Sequence, residues 1–159
     1  MLPHTATGMP LVDAHEDFTR ARRAQVAARV ARWLGGGRRP SAPRALGDAP
    51  ELPRRSARLE VIPLRAVVGT MEPTVTFDAR FRPATGLVRE RWERIALAHR
   101  RGISLAPITV LQRPDGYYVV DGRHRVSVAL ALGHGDIEAW VTQSGSLRAA
   151  VRRACRGLI

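Results

Sequence analysis

This sequence predicts an α+β fold, a small mixed sheet with helices packed on it, and three observations carry that expectation. β-rich runs alternate with segments of helical period, and two of those runs flank a proline-glycine turn. Hydrophobic residues make up 45% of the 159 positions, enough for one core of ordinary size.

Taken in order, residues 1–34 read as an amino-terminal helical extension. Its helix is expected over residues 14–34, because Asp13 and Glu16 form an Asp-x-x-Glu variant of the capping box and Gly35-Gly36-Gly37 stops the run. Val26, Val30, Trp33 and Leu34 share a narrow apolar face. Residues 35–55 hold four Gly, four Pro and five Arg with few large apolar side chains, a composition that cannot repay the entropy of ordering and so reads as a linker.

A compact domain over residues 56–143 follows. Residues 59–64 suggest a strand, and residues 67–83 read as irregular. Val88, Trp92, Ile95 and His99 recur at helical spacing before Gly102. Residues 107–112 and 117–120 are β-rich and joined by Arg113-Pro114-Asp115-Gly116, a hairpin signal. A short helix over residues 123–132 is closed by Gly133, and Ile137, Ala139 and Val141 alternate with Glu138 and Trp140 as in a half-buried strand. The last stretch, 144–159, is a basic tail with Leu147, Val151, Cys155 and Leu158 on one side of a candidate helix.

Charge and cysteine content narrow the function classes. The net charge of +12 comes entirely from 26 arginines, with no lysine, and divides as +5, +3 and +4 over residues 1–55, 56–143 and 144–159. The excess therefore lies mostly on the flanks, which suits an anionic partner such as DNA but also describes solvated arms. One cysteine rules out a disulfide scaffold or a Cys-rich zinc site and suits a reducing cytoplasm. No long apolar run or signal pattern occurs, so a membrane partner is not expected. The histidines lack metal-ligand spacing, and no metal site is expected: His99 reads as a helix end, His134 as part of a glycine turn. Trp92 reads as core, while the side of the sheet taken by Trp140 is left open.

The chemistry concentrates at Asp121-Gly122-Arg123-His124-Arg125, where a strand ends in glycine and a helix begins with two arginines and a histidine. The positive end of the helix dipole disfavours cations there by about 0.3–1 kcal/mol each. A phosphate would compensate, held by free amides at the helix start and by bidentate bonds from Arg125, with Gly122 letting the backbone approach it. The simpler alternative is that Asp121 caps the helix and neutralises the arginines.

The run APITVLQRPDGYYVVDGRHRVSVALALGHGDIEAWV, with IALAHRRG before it and VIPL at the domain start, resembles the ParB/sulfiredoxin superfamily over residues 58–142. That resemblance implies a phosphate-binding turn at Gly122, Arg123, His124 and Arg125 holding a nucleoside triphosphate, ATP or CTP, with Mg²⁺. Sulfiredoxins carry Gly-Cys-His-Arg with a nucleophilic cysteine at this turn, and Arg123 stands in its place, so sulfinic-acid reduction is not expected. ParB partition proteins carry Gly-Glu-Arg-Arg and a following helix-turn-helix region, for which the 16 residues after the last strand are too few. ParB-like serine kinases present an Asp-Gly-His-His-Arg-like turn, which would make Asp121 and a second carboxylate candidate catalytic groups. Glu72 is the nearest match for the second, with Asp78 as fallback, although Glu72 reads first as an ordinary loop acid. Nucleotide binding, with NTPase or phosphotransferase activity left open, is the leading expectation. The alternative is a non-catalytic DNA-associated module contacting the phosphate backbone through arms at residues 20–55 and 148–156. Oligomeric state is left open.

Overall fold

The computed structural model describes residues 7–35, 42–47 and 57–143. Among them lie three α-helices, α1 (Pro10–Leu34), α2 (Arg89–Arg100) and α3 (Arg123–Ala131). Six strands accompany them: β1 (Arg44–Ala45), β2 (Arg58–Pro63), β3 (Val67–Thr70), β4 (Ile108–Arg113), β5 (Gly116–Asp121) and β6 (Asp136–Gln143). The fold is α+β, with one mixed sheet in the order β1-β3-β5-β4-β6-β2. β1, β3 and β5 run parallel, as do β4 and β6, whereas β4 pairs antiparallel with β5 and β2 with β6.

The hairpin of β4 and β5 forms where the sequence predicts it, around Pro114-Asp115. Its turn is tied down by Asp115, whose Oδ2 accepts from the Tyr118 hydroxyl at 2.7 Å and from Arg44 at 2.9 Å. The second bond reaches β1, a strand inside the segment expected to be a linker. Arg44 and Ala45 pair with Gly69 and Thr70, so short backbone pairing orders what composition alone would leave free. β3 likewise corrects the expectation of an irregular stretch over residues 67–83. Four β-branched or small residues, Val-Val-Gly-Thr, are too few to show a period, and pairing with β5 decides them.

One core lies between the sheet and α3: Ile62, Ile108, Val110, Val119, Ala139 and Val141 meet Val126 and Phe81. A second lies beyond α3, where Val128, Trp92, Ala96, Val88 and Phe77 meet Ala14, Phe18 and Ala21 of α1. α3 is thus the middle layer, with Val126 toward the sheet and Val128 toward the helices. Trp92, fully buried as the sequence predicts, donates its indole N–H to Ser127 Oγ at 2.9 Å. Trp140 is exposed.

The amino-terminal helix packs on α2 through a face other than the one predicted. Val26, Val30, Trp33 and Leu34 are exposed, and the buried face is Asp13, Ala14, Asp17, Phe18, Ala21 and Gln25. The reason is length: at 1.5 Å per residue the 25-residue α1 far outruns the 12-residue α2, and among the described residues nothing buries α1 beyond Gln25. Nor do Asp13 and Glu16 form a capping box. The helix begins earlier, with Pro10 in its first turn, where its missing N–H costs nothing. Asp13 accepts instead from the Thr7 N–H and hydroxyl at 3.0 and 2.7 Å. Arg100 of α2 joins the buried carboxylates, reaching Asp17 Oδ2 at 2.7 Å and Asp13 Oδ2 at 3.5 Å. The predicted tail, 144–159, and most of the predicted linker lie outside the described residues.

Phe18 is 4% exposed and meets Trp92 edge-to-face with centroids 5.5 Å apart. Phe18→Ala should cost about 3–5 kcal/mol in urea unfolding, whereas Val30→Ala on the exposed half of the same helix should stay within about 0.5 kcal/mol. Equal effects would mean that α1 is not part of the cooperative core.

Candidate phosphate-binding turn

Gly122 is the residue on which β5 turns into α3. It sits at φ 107°, ψ 18°, in the left-handed region, and is the N-cap of the helix. A Cβ built there would lie 2.5 Å from Ile108 Cγ2 and 2.8 Å from Ile108 Cβ. Glycine is required twice over, by dihedral angle and by space. The space it frees is filled by Ile108 of β4.

Asp121 does not cap the helix; no side chain does. Its carboxylate, 66% exposed, pairs with Arg125 Nη2 at 2.6 Å, one turn into α3. Arg125 Nη1 donates to the carbonyls of Ala106 and, at 2.8 Å, Pro107. The sequence leads to the expectation that Arg125 grips a phosphate bidentately; in the structure both of its terminal nitrogens have internal partners. With its side chain only 16% exposed, the guanidinium is spent on fastening the lead-in to β4 against the start of α3.

Arg123 and His124 are placed differently. The His124 ring meets Phe77 edge-to-face at 5.1 Å, beneath the loop between β3 and α2. Burial, and then the nearby guanidinium groups of Arg91 and Arg123, push its pKa down to about 4, with Asp121 opposing weakly. At neutral pH the ring is therefore uncharged. Arg91, on α2, was not singled out by sequence, because nothing in its local pattern says that α2 lays it beside the start of α3. Neither Arg91 nor Arg123 has a hydrogen bond or ion pair among the described residues. The amides of Arg123, His124 and Arg125 precede the first intrahelical bond, from Val126 N–H to the Gly122 carbonyl at 3.0 Å. Two uncommitted guanidinium groups thus stand near a helix N-terminus with open donors.

Glu72 is exposed and lies just past β3, whose Thr70 pairs with Val119 of β5. Because β3 and β5 run parallel, the Glu72 loop and the Gly122 turn leave the sheet at the same edge. Thr70 Oγ1 donates to the Glu72 carbonyl at 2.6 Å and holds that loop's backbone. Asp78, the fallback, is fully buried and occupied: its carboxylate accepts from the N–H groups of Arg80 and Arg82 and from Arg82 Nε, at 2.9–3.0 Å. It folds its own loop.

No family model and no curated protein matches the chain. Among solved structures, the chain is similar to sulfiredoxin from Arabidopsis thaliana. The identity is 18% and the TM-score 0.36, over 62% of this chain and 97% of that one. No helix among the described residues is long and apolar enough to cross a membrane.

Two outcomes are expected at the turn. Gly122→Ala should lower stability by about 1–3 kcal/mol through strain and the clash with Ile108, read as a lower denaturation midpoint at unchanged slope. For His124 the folded pKa of about 4 lies below the unfolded value of 6.5, so between those values the unfolded chain binds more protons. The stability this ring contributes is whole above about pH 6.5 and drains away as the pH falls toward about 4. His124→Gln should flatten the thermal midpoint in that window; an unaltered pH profile would refute a buried neutral ring.

Proposed function

We propose that this chain is a nucleotide-binding module in which the Asp121–Arg125 turn takes the phosphate chain of a nucleoside triphosphate, ATP or CTP. The observation that carries the reading is the pair Arg91 and Arg123, without a hydrogen bond or ion pair among the described residues and both close to His124 in the first turn of α3. The helix dipole disfavours cations there, and a multiply charged anion reverses that balance. The residues fit such a group: the amides of Arg123, His124 and Arg125 would receive non-bridging oxygens, and the two guanidinium groups would neutralise charge.

The roles within the turn follow from what each side chain already does. Gly122 sets the backbone angle, and Arg125 with Asp121 fixes the amides by locking residues 106–107 to the first turn of α3. His124 stays neutral, and its ring nitrogens donate or accept hydrogen bonds without adding charge. Asp121, through the oxygen not paired with Arg125, and Glu72 leave the sheet at the same edge and would hold Mg²⁺, which would neutralise phosphate charge.

The test is thermal unfolding with ATP, CTP, GTP and UTP, each with Mg²⁺. A ligand at 100-fold its dissociation constant adds about 2.7 kcal/mol, or about 5–10 °C at this size. Arg123→Ala should weaken the effective nucleotide about 10–100-fold, the worth of one charge-assisted contact, and Arg91→Ala should act in the same direction. Arg125→Ala is the poorer probe, because it leaves two carbonyls unsatisfied and lowers stability without any ligand. No shift with any nucleotide, or a shift indifferent to Arg91→Ala and Arg123→Ala together, would defeat the proposal.

A further inference from the structure

The other end of α3 carries a second arrangement, unrelated to phosphate. α2 and α3 run side by side through Trp92, Ala96 and Val128, and their carboxy-terminal ends close at the same place. His99 stands in the last turn of α2. His134 follows Gly133, which takes φ 82° to end α3, and its backbone is pinned by a hydrogen bond from its N–H to the Ala129 carbonyl at 3.0 Å. The two rings meet at 87° with centroids 4.5 Å apart, and their Nε2 atoms are 2.7 Å from each other.

We propose that His99 and His134 are a chelating pair for a borderline divalent metal ion such as Zn²⁺, Ni²⁺ or Cu²⁺. Metal–imidazole bonds of about 2.0–2.1 Å at angles of about 90–110° put two ligand nitrogens about 2.9–3.4 Å apart. The observed pair lies a few tenths of an ångström inside that bite, so rotation of the exposed His134 ring completes it. Two Nε2 atoms brought together from the end of α2 and the turn after α3, 35 positions apart in sequence, are poised to share one electrophile. A proton does so in the metal-free protein, and a metal ion uses the same two lone pairs.

The surroundings favour a cation. Two helix C-termini direct their negative dipole ends here. Asp136 and Glu138 line the same cavity of about 310 Å³, together with both imidazoles. Arg100 points away into Asp13 and Asp17, and Arg125, at the far end of the cavity, is matched by Asp121. Among the described residues no cluster of three or more His, Cys, Asp or Glu side chains is arranged for a metal. The ion therefore has two protein ligands, and water or a donor atom of a bound molecule fills its remaining positions.

The experiment uses the full chain without a histidine tag, titrated with Ni²⁺ and Zn²⁺ by calorimetry and with Cu²⁺ by electron paramagnetic resonance. One ion per chain is expected, with a Cu²⁺ superhyperfine pattern from two nitrogens. His99→Gln and His134→Gln should each weaken binding about tenfold or more, and the double variant little further. His15→Gln, a histidine engaged with Glu93 and Arg89, should change nothing. Affinity unchanged in His134→Gln, or no saturable binding up to about 1 mM, would overturn the proposal. His134 lies on an exposed turn, so its variant decides the matter should His99→Gln fail to unfold cooperatively in the presence of EDTA.

Discussion

The close approach of Gly122 to Ile108 is the constraint on which the site depends. A strand can pass directly into a helix here because the linking residue adopts a left-handed conformation and carries no side chain against β4. That contact fixes where α3 starts and how it lies across the sheet. Val126 is then delivered to one core and Val128 to the other, with Ser127 meeting Trp92 between them. α3 is consequently both the central packing element and the carrier of the candidate chemistry. Its first-turn amides open at the sheet edge where the loop after β3 also departs.

Arginine has two distinct uses in this protein. Several guanidinium groups are internal struts: Arg125 bonds the carbonyls of Ala106 and Pro107, Arg82 bonds Asp78 and the Ala24 carbonyl, and Arg100 is shared by Asp13 and Asp17. The planar fork suits this work, since one side chain satisfies carbonyls and carboxylates at once. A net charge of +12 therefore overstates the cationic surface offered to a partner. What distinguishes Arg91 and Arg123 among the arginines with no side-chain partner in the described residues is their place beside His124 at the start of α3.

α3 also sets two opposite electrostatic environments at its ends. Its start exposes amide donors beside two guanidinium groups and a neutral imidazole. Its end, together with the end of α2, presents carbonyl dipoles, two imidazoles and the carboxylates of Asp136 and Glu138. A nine-residue helix is about 13.5 Å long, which sets the two environments apart, with Arg125 of the turn bordering the cavity that also holds the two imidazoles.

Much of the fold and the outline of the turn were legible in the sequence. The β4–β5 hairpin, the α2 periodicity, the glycine at the β5–α3 junction and the burial of Trp92 all follow from local rules of turn, period and helix termination. What local rules could not reach was decided by contacts between distant segments. α1 buries Asp13 and Asp17 rather than Val26 and Val30 because Arg100, 83 positions from Asp17, supplies the partner and α2 is short. Arg125 became a strut because residues 106–107 pass beside it, and Arg91 joined the turn because α2 lies alongside α3. His99 and His134, bland as isolated letters, meet because two helices of matched orientation end together. A sequence by itself fixes which side chains can carry charge, bend the backbone or coordinate. Only the tertiary structure decides which of them are already satisfied, since satisfaction is a property of neighbours that the chain order does not contain.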